Sequence, residues 1–182
     1  TRTVVVSDTT KPVITIVGGD IAHEQGTSYT DLGATALDNI DGDITSLITV
    51  ESDVDSDTAG TYTVVYRVSD SSGNAADQKT RTVVVSDTTK PVITIVGDAE
   101  VSLELGTPYT DLGATASDNI DGDITSSIVT VNNVDIYTVG TYSVTYNAND
   151  SAGNAADEVI RTVNITPDAV SYTHLRAHET CL

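Results

Sequence analysis

The chain has 182 residues, with 27 acidic and 8 basic side chains and a formal net charge of −19. A surface this negative repels phosphate, which excludes nucleic-acid binding and docking to anionic lipid as expected roles. Trp, Phe and Met are absent, and the apolar content is Val, Ile, Leu, Ala and eight Tyr beside abundant Thr; no apolar run approaches the roughly 20 residues of a membrane span, and the composition excludes a helical bundle in favour of an all-β protein.

The chain opens on TRTVVVSDTTKPVITIVG, Thr1–Gly18, which returns letter for letter as Thr80–Gly97. YTDLGATA at Tyr29–Ala36 returns at Tyr109–Ala116, and DNIDGDITS at Asp38–Ser46 returns at Asp118–Ser126. A period near 80 exceeds the roughly 20–50 residues of solenoid repeats and matches a small domain. The expected division is residues 1–7 as the last strand of a truncated preceding repeat, 8–85 as the first unit and 86–165 as the second. The two units carry −9 and −10. Between them Ser86–Pro91 reads as a short, stiff, extended linker, because a residue before proline avoids the helical region.

Within the second unit, Val92–Val96 is a short apolar strand and Val101–Leu105 alternates with period two, the signature of a half-buried strand. Leu112–Ala116 and Ile124–Val131 supply two more. Thr141–Ala148 places Tyr142, Val144 and Tyr146 on one face. Val159–Ile165 does the same with Val159, Arg161, Val163 and Ile165. Clusters of Gly, Asn, Asp and Pro separate these segments and favour turns. Six or seven short strands at this spacing predict a β-sandwich.

The run G-T-Y-x-V-x-Y at Gly60–Tyr66 and Gly140–Tyr146 places Tyr62 and Tyr142 two residues before Val64 and Val144. In immunoglobulin-type sandwiches a tyrosine there closes a corner by bonding back to the backbone, and Val stands where antibody domains carry a cysteine. An ordinary strand tyrosine is the competing reading. Residues 166–182 read as a non-native or disordered tail, of which Ser171–Leu182 breaks the repeat abruptly and resembles translated adaptor sequence. It holds the only Cys, Cys181, and two of the three His, so cysteine usage says nothing of redox compartment.

Nucleophilic catalysis lacks its parts: outside the tail the only histidine is His23, which has no counterpart in the second unit. The carboxylates of DNIDGD lie in one short turn with no apolar, aromatic surroundings to split their pKa values, which argues against a glycosidase pair. Calcium is the functional reading of that turn, since Ca²⁺ takes six to eight oxygen ligands. Asp38, Asp41 and Asp43, their counterparts Asp118, Asp121 and Asp123, and the linker residue Asp87 are the candidate ligands. The glycine falls one place early for an EF-hand, and the competing reading is a solvated Asx turn with Gly42 or Gly122 at positive φ. Lys90 and Asn164 are candidates for an intramolecular Lys–Asn bond, against an ordinary solvated lysine.

The order DTTKPVITIVG, then LGTPYTDLGATASDNIDGDIT, then GTYSVTYNANDSAGNAA, then a closing strand, resembles the bacterial Ig-like domain family of unknown function. Members occur in tandem in surface and secreted proteins, and relatives include repeats of some pesticidal crystal proteins and the hyalin-type repeats. The resemblance implies two tandem immunoglobulin-like β-sandwiches of about 80 residues each. It also implies a non-catalytic, extracellular or cell-surface spacer or adhesion role and carries over no ligand; calcium, read from the DNIDGD turn, is the one cofactor expected from the residues. Expected partners are neighbouring Ig-like repeats and a cell-surface or polysaccharide ligand, with no nucleic acid and no membrane insertion. The alternatives are a carbohydrate- or protein-recognition module, which needs exposed aromatic residues, and an accessory domain of a secreted hydrolase.

Overall fold

The computed structural model describes residues 1–168, so the expectations for the tail from residue 169 onward lie outside the described residues. The chain divides into two compact units between Thr88 and Thr89. Among the described residues, each unit has seven strands.

In the first unit, β1 (Val13–Ile16), β3 (Ala34–Asp38) and β4 (Gly42–Asp43) form one sheet in the order β1-β3-β4. The other sheet has the order β2-β7-β6-β5, from β2 (Ile21–Glu24), β5 (Thr49–Ser52), β6 (Gly60–Arg67) and β7 (Lys79–Ser86). All pairs are antiparallel except β2 with β7, which run parallel from Ile21 opposite Val83 to Glu24 opposite Ser86. Period-two alternation gives each sheet one inward face. Ile14 and Ala36 from the smaller sheet, with Ile44, meet Val64, Tyr66, Val83 and Val85 from the larger one and Val68 just after β6.

The second unit repeats the plan. Its smaller sheet runs β11-β10-β8, from β8 (Val92–Ile95), β10 (Ala114–Asp118) and β11 (Gly122–Asp123). Its larger sheet runs β12-β13-β14-β9, from β9 (Glu100–Glu104), β12 (Val129–Asn132), β13 (Gly140–Asn147) and β14 (Val159–Thr166), again with one parallel pair, β14 with β9. The core is Ile93, Ala116, Ile124, Val144, Tyr146, Ala148, Val163 and Ile165.

Two expected strands differ from those observed. Ile124–Val131 is not one strand, because a 3₁₀ turn, Thr125–Ser127, precedes β12. Its cause is local: Asp123 Oδ1 accepts from the Thr125 amide at 2.9 Å while Thr125 Oγ1 accepts from the Ala116 amide at 3.1 Å, so the chain tightens as Ile124 enters the core. Leu112–Ala116 starts two residues later, at Ala114, after Gly113 with φ +76°.

Residues 1–7 form no strand, and Val4, Val5 and Val6 are exposed. The identical TRTVVVS at Thr80–Ser86 lies in β7, hydrogen-bonded to β6 on one side and β2 on the other. The same seven side chains are a strand only where partner strands flank them, which is the expected behaviour of a β propensity set by context.

Candidate functional site

Chemistry-bearing side chains gather in two places in each unit. The first is inside the sandwich. Along β7, Arg81 shares the inward face with Val83 and Val85 and is completely buried. Its guanidinium forms an ion pair with Asp31 and donates to the carbonyls of Gly19 (2.9 Å), Gly33 (3.1 Å) and Val17. Asp31 also accepts from the Tyr66 hydroxyl at 2.8 Å, the Tyr29 hydroxyl at 3.1 Å and the Gly33 amide at 3.0 Å. The Arg81 carbon lies 5.7 Å from the Tyr66 ring centroid, within cation–π range. Arg161, Asp111, Tyr146 and Tyr109 rebuild the cluster in the second unit, with Asp98, Val96 and Gly113 offering the carbonyls.

Burial raises the Asp31 carboxyl pKa, but the Tyr66 hydroxyl, the Arg81 charge, the Tyr29 hydroxyl and the Gly33 amide outweigh it and hold the group below the usual carboxylate range. Asp111 is held down in the same way, by Tyr146, Tyr109, Arg161 and the Gly113 amide against burial. Burial, then the bond to the neighbouring carboxylate, pushes the Tyr66 and Tyr146 hydroxyls far above their ordinary value. These groups bond to one another and to nearby carbonyls, so the cluster organises a core. Sequence reasoning placed Arg161 on one face with Val159, Val163 and Ile165 without singling it out. The available signal was an arginine at an inward position of an alternating strand, repeated at Arg81.

The second place is the turn region at the end of β3. The DNIDGD turn is an Asx turn: Asp38 Oδ1 accepts from the amides of Ile40 (2.8 Å) and Asp41 (3.0 Å), and Gly42 has φ +72°. It is not solvated at its first residue, because Asp38 is only 8% exposed. Beside Asp38 stand Asp8, ahead of β1, and Asp70, just after β6. One carboxylate oxygen from each of Asp8, Asp38 and Asp70 lies within 4.8 Å of the others.

The residues that sequence reasoning grouped with Asp38 belong elsewhere. Asp41 accepts from the Ser71 amide at 2.6 Å and hydroxyl at 2.8 Å, which ties the turn to the loop after β6. Asp43 accepts from the Thr45 amide at 2.9 Å and opens the 3₁₀ turn. Asp121 and Asp123 do the same with Ser151 and Thr125. The candidate set therefore changes from Asp38, Asp41 and Asp43 to Asp8, Asp38 and Asp70. Asp118 carries the same Asx turn in the second unit, and Asp150 is buried there. Asp87, which occupies the repeat position of Asp8, is also buried. The missed signal was in the segments DTT and DSSGN, each of which opens on a recurring aspartate.

The remaining candidates are placed simply. The Tyr62 hydroxyl donates to the Thr58 carbonyl at 2.8 Å and the Tyr142 hydroxyl to Thr138 at 2.9 Å, four residues upstream in both units. Tyr142→Phe is expected to lower the stability of its unit by about 0.5–1.5 kcal/mol, read as a lower denaturation midpoint at unchanged slope; an unchanged midpoint would show that water replaces the bond. Lys90 pairs with Asp157 at 2.7 Å, while Asn164 accepts from the Thr141 hydroxyl at 2.8 Å. The Lys–Asn bond is thereby corrected to two separate surface contacts. His23, half-buried on β2, stacks edge-on against Tyr29 with centroids 5.3 Å apart, and its Nε2 lies 3.0 Å from the Thr27 carbonyl.

The family described as "Bacterial surface protein, Ig-like domain" matches residues 14–85 and again 93–165. The pesticidal crystal protein Cry22Aa of Bacillus thuringiensis is 33% identical over 155 residues, covering 80% of this chain and 21% of that protein. Hyalin of the sea urchin Strongylocentrotus purpuratus is 34% identical over 169 residues, covering 87% of this chain and 14% of hyalin. The chain thus spans about a fifth or less of either relative. Among solved structures, the catalytic M60 domain of Clostridium perfringens ZmpB with its two CBM51 domains is similar with a TM-score of 0.55 at 14% identity, over 86% of this chain and 31% of that one. That likeness concerns the fold alone.

Proposed function

This chain belongs to the bacterial surface protein Ig-like domain family, and on that footing we propose that it is a non-catalytic, extracellular spacer whose units bear mechanical load. The observation that carries this reading is the parallel pairing of an early strand with the last one: β2 with β7, and β9 with β14. In a parallel pair, pulling the unit by its two ends drags the strands past each other. All the ladder hydrogen bonds then carry load together, whereas an antiparallel hairpin pulled at its open end unzips one bond at a time. Adhesion to a ligand is a finer role that rests on the family resemblance. Among the described residues no helix is long and apolar enough to cross a membrane.

The tyrosines support the spacer reading over a polysaccharide platform. Of the seven described, six have hydroxyls bonded inside their own unit, and Tyr137 stands out at 78% exposed. One ring, replaced by Asp57 in the first unit, is a small surface for stacking sugars.

Pulling the 182-residue chain by its ends in a force spectrometer is the test. Two discrete unfolding steps are expected. Each should release about 72 residues, or roughly 200–250 Å of chain at about 3.3–3.6 Å per residue less the folded length. Smooth extension without two steps would rule out load bearing, and saturable glycan binding lost on Tyr137→Ala would favour the recognition module.

A further inference from the structure

Three carboxylates that meet within 4.8 Å are not by themselves a site, since acidic residues often cluster on an acidic surface. The cluster of Asp8, Asp38 and Asp70 has something more. Asp38 is more than nine-tenths buried, and its Oδ2 has no hydrogen-bond partner although its Oδ1 accepts two backbone amides. A buried carboxylate oxygen with nothing donating to it is costly, and a second and third carboxylate beside it make it more so. No Lys or Arg answers them: Lys11, the basic side chain nearest in sequence to Asp8, is paired with Asp77, and none of the five ion pairs among the described residues uses Asp8, Asp38 or Asp70.

The surrounding bonds hold the three groups in place without neutralising them. Asp8 Oδ1 accepts from the Thr10 amide at 3.0 Å. Asp70 accepts from the Asn74 amide at 2.7 Å and its side-chain amide at 2.6 Å. The Asn74 side chain also donates to the Asp8 carbonyl at 3.3 Å. Three separate segments, the lead into β1, the end of β3 and the turn after β6, are thus braced so that their carboxylates face one another.

We propose that Asp8, Asp38 and Asp70, all of the first unit, bind one calcium ion, with the Asp38 Oδ2 as its buried ligand. Calcium–oxygen bonds of about 2.3–2.6 Å allow two oxygens on one ion to lie up to about 5 Å apart, so the 4.8 Å limit needs no rearrangement. The ligand chemistry is all oxygen, which suits a hard cation, and water completes the shell. The Asp118 Oδ2 is likewise buried and without a partner. An ion held this way adds a direct link between the lead into β1, the end of β3 and the turn after β6. The inference does not depend on the spacer role.

The test uses the whole 182-residue chain, freed of metal with a chelator and titrated with calcium by calorimetry. Binding of one ion at Asp8, Asp38 and Asp70 is expected, with a dissociation constant of about 10⁻⁴–10⁻³ M. Ten times that concentration raises the folded-to-unfolded ratio about elevenfold per site, read as a rise in melting temperature larger than magnesium gives at equal ionic strength. Asp38→Asn keeps the oxygen that accepts the two amides and replaces Oδ2 by a donor, so it should lose this ion while melting no lower than the wild type in chelator. Asp43→Asn, at the far end of the same turn, should retain the ion. Equal shifts from calcium and magnesium that survive Asp38→Asn, loss of the ion from Asp43→Asn instead, or no uptake at 10 mM calcium (roughly ten times the weakest expected constant) would each overturn the proposal.

Discussion

Asp31→Ala is expected to unfold the first unit, or nearly so, while leaving the second folded. The substitution removes the carboxylate paired with the completely buried Arg81 guanidinium, and breaking a buried pair from one side costs about 3–5 kcal/mol, because the remaining charge is stranded. A unit of this size has roughly 4–12 kcal/mol in total at about 0.05–0.15 kcal/mol per residue. The two hydroxyl donors, Tyr66 and Tyr29, lose their acceptor as well. Thermal melting followed by circular dichroism should split into two transitions, and Asp111→Ala should produce the mirror result. Adding Arg81→Met to Asp31→Ala should recover part of the loss by removing the stranded charge. Recovery stays partial because the carbonyls of Gly19 and Val17 also lose the donors Arg81 supplied. A single unsplit transition at the wild-type temperature would show that the pair contributes nothing net.

The strands and their inward faces were legible because alternation is a local signal. Tyr142, Val144 and Tyr146, or Arg161, Val163 and Ile165, need only their own neighbours to define a face. What a strand segment pairs with is not local, and TRTVVVS makes the point within one chain: it pairs on both sides as Thr80–Ser86 and forms no strand as Thr1–Ser7. The buried ion cluster was hidden for the same reason. Arg81 and Asp31 lie 50 residues apart, and an arginine between threonines, at Thr80 and Thr82, looks solvent-facing until the sandwich closes over it. The turn aspartates misled in the opposite direction. Asp38, Asp41 and Asp43 are neighbours in sequence, but a tight turn points successive side chains apart, so Asp41 reaches Ser71 and Asp43 reaches Thr45. The carboxylates that do meet come from three separate segments.

The ends of the pH scale should both destabilise the chain, each through a different member of the same cluster. Asp31 and Asp111 have folded pKa values below their ordinary ones. Their stabilisation is therefore whole above the ordinary carboxylate range and is lost as pH falls from about 4 through the folded values. Tyr66 and Tyr146 are shifted the other way. Their stabilisation is whole below the ordinary tyrosine pKa of about 10 and is lost as pH rises through the folded values, because a tyrosinate can no longer donate to the carboxylate beside it. The melting temperature should hence run level between about pH 5 and pH 9 and fall on both sides. Tyrosinate absorbance gives the sharper measurement on the alkaline side. Ionisation should come in two phases, the later one coinciding with loss of the β-sheet signal. Tyr66→Phe with Tyr146→Phe should abolish the later phase and cost each unit about 1.5–3 kcal/mol, the range for a hydrogen bond to a charged group. One phase that runs to completion while the sheet signal persists would mean that these two hydroxyls are free to ionise in the folded chain, and that the ion cluster is open to water.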